Sequence, residues 1–141
     1  MSRLTLAQAN TIVSVALKKA REMKTKPLTV VVLDDAGHVK ALQREDGANM
    51  FRNDIAIGKA FASIGMGAAS RMLLQRAKDN PEFYGALAAV GQGKFVPQTG
   101  AVLIKDKDGT VLGAAGGSGG TGDEDEAVCI AGIEAAGLAW G

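Results

Sequence analysis

A chain of 141 residues with 16 Lys and Arg against 15 Asp and Glu is almost neutral, which excludes the basic footprint of a nucleic-acid binder or of an anionic-membrane binder. The length matches one domain spanning 1–141, and 47% apolar but only 4% aromatic residues imply a core of Ala, Val, Leu and Ile on closely packed backbones. A lone Cys129 excludes an internal disulfide; with no secretory pattern at the N-terminus and no apolar run of about 18 residues, it points to a reducing, cytoplasmic setting.

The first predicted element is an amphipathic helix over 5–23. Leu6, Ala9, Ile12, Val13, Ala16, Leu17 and Ala20 recur at helical spacing, Lys18, Lys19, Arg21 and Glu22 take the other face, and Thr5 with Gln8 reads as a capping box. Pro27 precedes the β-branched run 28–33, a buried strand. The turn 34–38, Asp-Asp-Ala-Gly-His, leads into the alternating segment 39–43, and the two strands make an antiparallel hairpin.

A polar loop over 44–48 then leaves the sheet, and Asn53 or Asp54 caps a second helix that runs to Gly67 with Ile57, Phe61, Ile64 and Ala68 on one stripe. Gly58, Gly65 and Gly67 each cost about 1 kcal/mol relative to Ala in a helix interior, so their presence implies tight packing against another backbone. Short helices over 70–77 and 82–90 flank the Asn80-Pro81 break. Strand 100–105, an acidic turn at 106–109 and strand 110–115 repeat the hairpin pattern, and a last helix runs from about 121 to 139. The predicted fold class is α+β, an antiparallel sheet built from two hairpins and flanked by helices, in the order α-β-β-α-α-α-β-β-α.

The most conspicuous stretch is 113–126, a glycine-rich segment between a strand and a helix that includes Gly116, Gly117 and Ser118. It resembles a phosphate-cradling loop in outline, but Asp123, Glu124, Asp125 and Glu126 occupy the start of the helix and would repel a phosphate. Those carboxylates complement the helix dipole or contact a ligand, and Thr121 with Glu124 makes a second capping box. The glycines leave a side-chain-free notch for a ligand or for a neighbouring subunit.

His38 is the single histidine, which excludes a His-based triad and a multi-His metal site, and its place in a hairpin turn predicts exposure. Arg44 and Asp46 flank a strand end, where they either project as functional groups or stabilise the turn. Lys59 sits among apolar helix residues and either snorkels to water or serves a pocket.

Taken in order, the segments 31–38 (Val-Val-Leu-Asp-Asp-Ala-Gly-His), 44–48 (Arg-Glu-Asp-Gly-Ala), 57–60 (Ile-Gly-Lys-Ala) and 113–126 resemble the GlcG/HbpS family, the haem-degrading or PduO C-terminal-like domain. The resemblance spans nearly the whole chain and departs from the family pattern at 94–100, where relatives more often carry a Gly-Gly-Pro-type turn. It implies an antiparallel sheet between helices, assembly into a homo-oligomer, and a small-molecule ligand such as haem or a corrinoid. Carried over by position, a ligand pocket would draw on Arg44, Asp46, Lys59, Gly116, Gly117, Ser118, Asp125 and Glu126.

Two functions follow. The first is a small-molecule-binding protein with its ligand beside the glycine-rich segment. The second is an enzyme of a catabolic pathway acting on a small oxygenated acid or lactone, with Arg44 or Lys59 holding a carboxylate and Asp46 or Glu126 as general acid or base.

Overall fold

The computed structural model describes residues 3–141. In chain order the elements are α1 (Leu6–Met23), β1 (Thr29–Asp34), β2 (Val39–Arg44), α2 (Phe51–Met66), α3 (Ser70–Asp79), α4 (Pro81–Val90), β3 (Ala101–Lys105), β4 (Val111–Ser118), α5 (Gly122–Ala135) and β5 (Ala139–Trp140). The strands form one antiparallel sheet in the order β2-β1-β4-β3-β5. Both expected hairpins are present, and pairing of β1 with β4 joins them into the α+β architecture that the sequence predicts.

Helix α1 starts where its capping box places it. Thr5 Oγ1 accepts from the Gln8 N–H and Gln8 Oε1 accepts from the Thr5 N–H, each at 3.0 Å. Its apolar stripe, with Val128 and Ile133 of α5, packs on one sheet face formed by Val30, Val32, Val102 and Ile104. Burial of each such side chain contributes roughly 1.5–3 kcal/mol. The two helices approach so closely that a Cβ on Gly132 would strike the Ile12 carbonyl oxygen.

Helix α2 covers the other face, setting Ala56 and Ala60 against Val31, Leu33 and Leu103. Helices α3 and α4 lie outside it, held by a smaller cluster of Ala62, Leu73 and Tyr84. The molecule is therefore layered, with α1 and α5 on one side of the sheet and α2 to α4 on the other.

Four local expectations need correction. The start of α2 is Phe51, with Asn49 Oδ1 accepting from the Phe51 N–H at 3.0 Å, because Asn53 turns inward to accept from the Thr29 hydroxyl at 2.8 Å. The face of α2 pressed on the sheet is made of small residues, so Ile57, Phe61 and Ile64 sit half-buried beside it; of its glycines, Gly58 abuts Val96 and the Lys94 carbonyl, Gly65 faces open space and Gly67 is a left-handed cap at φ 68°. The last helix stops at Ala135, because Gly137 at φ 77° turns the chain back and Ala139 and Trp140 pair with β3 as an added edge strand. Finally, Gly116, Gly117 and Ser118 belong to β4 itself and not to a loop after it: all three pair with β1, and Gly116 also pairs with Ala101 of β3.

Candidate functional site

The end of β4 is where the two helical layers communicate. Because side chains alternate along a strand, Gly116 faces α2 and Gly117 faces α5; a Cβ on Gly116 would stand 2.6 Å from the Ala56 carbonyl oxygen, and one on Gly117 would stand 3.2 Å from that of Asp125. Their missing side chains let Lys59 of α2 reach past the strand. Lys59 Nζ donates to the Gly117 carbonyl at 3.0 Å and to Asp125 Oδ2 at 3.1 Å, an ion pair whose residues are only 6% and 1% exposed.

Asp125 also accepts from the Gly120 N–H at 3.0 Å. Even so, burial pushes its carboxyl above the usual carboxylate range, outweighing the charge and hydrogen bond of Lys59. The Cys129 thiol one turn on is pushed up as well, chiefly by complete burial, and is inert as a nucleophile at neutral pH. The start of α5 is set by Thr121, whose hydroxyl accepts from the Glu124 N–H at 3.1 Å while Glu124 Oε1 accepts from the Thr121 N–H at 2.9 Å.

Although buried, the Lys59–Asp125 pair borders a cleft of about 440 Å³, which Ser118, Arg52, Thr99 and Thr121 also line and to which Ile55 and Leu74 add apolar surface. That volume is in the range of roughly 300–1,000 Å³ typical of small-molecule pockets.

Of the residues predicted from sequence, Lys59, Ser118 and Asp125 meet in this cleft. Gly116 and Gly117 shape it as spacers in β4. Glu126 turns away to pair with Arg71, which also binds Asp123. Arg44 and Asp46 border a different cavity beside the Arg21–Glu45 ion pair, and Arg44 Nη1 donates to the Ala48 carbonyl at 2.7 Å. The five charged groups expected to share one cleft are thus divided among three places. His38 is exposed at the β1–β2 turn, its side chain 80% accessible, as expected.

Sequence reasoning passed over Arg52. Its Nη1 donates to Ser118 Oγ at 3.2 Å, and it borders the cleft in front of Lys59. The signal was available: positions 52 and 59 are two helical turns apart and share a face of α2.

A family model described as "Haem degrading protein HbpS-like" matches residues 4–134. The chain belongs to the HbpS-like family. Among its relatives is a protein of Citrobacter freundii encoded in the dhaT-dhaS intergenic region, 28% identical over 125 residues, covering 89% of this chain and 86% of that one. Among solved structures, Streptomyces reticuli HbpS, as a double mutant, superposes with a TM-score of 0.82 at 26% identity over 95% of this HbpS-like chain and 87% of that one. PduOC, crystallised as a haem complex, shares the fold with a TM-score of 0.87 at 24% identity over 98% of each chain.

Proposed function

We propose that this HbpS-like chain binds its small-molecule ligand in the cleft between α2, the end of β4 and α5. The observation that carries this reading is the Lys59–Asp125 pair: a carboxylate whose pKa is shifted by burial and by a specific charge partner, at the wall of a cleft, is the signature of a functional site. Family membership supports a tetrapyrrole as the ligand, haem first and a corrinoid second, since PduOC was crystallised with haem and shares the fold.

The residues present fit the rim of such a molecule better than its metal. Arg52 offers guanidinium donors to a carboxylate, and Ile55 and Leu74 offer apolar surface. No His, Met, Cys or Tyr side chain borders the cleft, and among the described residues no three His, Cys, Asp or Glu side chains form a metal site. The reading thus rests on the periphery of the macrocycle and not on iron ligation from this cleft.

The test is titration of the purified protein with haem, and separately with hydroxocobalamin, followed by absorbance. A saturable Soret shift at one haem per subunit is expected. Absence of saturation at micromolar haem removes the tetrapyrrole.

A catalytic reading has one observation in its favour, the raised pKa of Asp125 beside Lys59 in an accessible cleft, a pairing suited to proton transfer on a small oxygenated acid. Arg44, Asp46 and Glu126 stand outside that cleft, so the reading reduces to Lys59 and Asp125. We also infer self-association. Helix α4 carries one charge, Glu82, and leaves Phe83, Gly85, Ala86, Ala88, Ala89 and Val90 exposed, whereas an apolar helix is stable in water chiefly when covered.

A further inference from the structure

We infer that Arg52 is a carboxylate anchor and that the cleft is built for one monoanionic carboxylate; this deepens the reading of the cleft as a ligand site and rests on it. The argument starts from which charges are already compensated. Lys59 is held by Asp125, and Arg71, across the mouth of α5, is held by Asp123 and Glu126. Arg52 has no carboxylate at ion-pair distance among the described residues, and its guanidinium donates to the neutral hydroxyl of Ser118. On its other side a second cavity of about 290 Å³ brings Lys26 and Glu124 near it, one charge of each sign. Of the two cations that line the 440 Å³ cleft, Lys59 is paired with Asp125, and Arg52, close enough to lower the Asp125 carboxyl pKa by its charge, is the one without a carboxylate at ion-pair distance; it borders both cavities.

A half-buried guanidinium is less screened than a surface one, and its planar fork matches a carboxylate through two parallel N–H···O bonds. The sign and number of neighbouring charges select among anions. Asp123, Glu124 and Asp125 in the first turn of α5 face the same region, so a second negative charge on the group that Arg52 holds meets repulsion and a dianionic phosphate is disfavoured. Thr99 and Thr121 border the cleft and can meet an oxygen substituent on the ligand, while Ile55 and Leu74 accommodate a short apolar body. A carboxylate of this kind comes either from a free small acid or from the propionate side chain of a macrocycle.

The experiment uses the full chain, its Arg52→Gln variant, which removes the charge, and its Arg52→Lys variant, which keeps the charge and loses the fork. Circular dichroism melts of all three first establish that the variants are folded. Calorimetric titration with sodium lactate, sodium benzoate and inorganic phosphate tests the small-acid source; titration with haem and with haem dimethyl ester tests the propionate source. The expected result is saturable binding of lactate, benzoate or haem to the wild type, weakened about tenfold or more in Arg52→Gln and by less in Arg52→Lys, with no saturable phosphate binding. If propionates are the source, the dimethyl ester is indifferent to Arg52→Gln where haem is not. Haem or acid binding that is equal in wild type and Arg52→Gln overturns the anchor and leaves the cleft as a site; a wild type that binds none of these carboxylates overturns both.

Discussion

Lys59 and Asp125 are withdrawn from water almost completely, and they form an ion pair at 3.1 Å. Removing one partner leaves the other buried without compensation, which typically costs about 3–5 kcal/mol, whereas replacing both by apolar groups of similar volume is often neutral. Lys59→Met and Asp125→Leu are therefore each expected to lose that much in urea-denaturation experiments, and the double variant to regain most of it. Additive losses would show that the two groups are not energetically coupled. The pH dependence has a definite sign. Because burial raises the Asp125 carboxyl pKa in the folded chain, the group's contribution favours folding fully below the unfolded value near ~3.9 and is lost as pH rises through the higher folded value. Asp125→Asn should flatten the fall in stability as pH rises above the unfolded value, measured by urea unfolding at each pH against wild type. An unchanged slope would assign it to another group.

At the scale of elements, the contact of α2 with the sheet depends on the strand offering no side chain. Gly116→Ala puts a methyl 2.6 Å from the Ala56 carbonyl oxygen and 3.2 Å from Ala60 Cβ, contacts that only a shift of α2 relieves, so a loss of about 1–3 kcal/mol is expected in thermal or chemical unfolding. Gly85→Ala is the contrasting case: it lies in α4 with nothing near its Cβ position and should gain roughly 0.5–1 kcal/mol. The same contrast explains what the sequence could show. Hairpins and capping boxes are legible because their signals are local, as with Asp34 to His38 and Thr121 with Glu124. The continuation of β4 through Gly116 and Gly117 is illegible locally, since glycine is a poor strand former and only α2, α5 and two neighbouring strands, far apart in sequence, make an in-sheet glycine necessary. The site divides along the same line. The resemblance places Lys59 and Asp125 in one pocket, but their direct pairing crosses the sheet and no local signal reports it; Arg44 draws notice by its place at a strand end, whereas Arg52 is found from the spacing of positions 52 and 59 on one helix face.

For the whole molecule, the two helical layers account for the burial of β1, β3 and β4 in the sheet but leave α4 covered on little more than the side that carries Tyr84. Phe83 is 50% and Val90 76% exposed there, with Met72 of α3 nearby in sequence at 53%. Hydrophobic burial contributes about 25 cal/mol per Å², so a second copy docking along this helix would recover free energy that folding alone leaves unclaimed. Small residues at 85, 86, 88 and 89 allow close backbone approach, and the near absence of charge removes the desolvation penalty that a polar face would carry. Phe83→Glu together with Val90→Lys is therefore expected to lower the mass measured by size-exclusion chromatography with light scattering from an oligomer to a 14.4 kDa subunit, without change in the far-ultraviolet circular dichroism spectrum. A wild type that runs as a monomer at all concentrations, or an oligomer indifferent to both substitutions, would show that α4 is not the contact. The cleft borders on α2 and α5 and has no lining residue from α4, so a variant that dissociates should keep its affinity for lactate or haem; loss of both together would mean that a neighbouring copy completes the site.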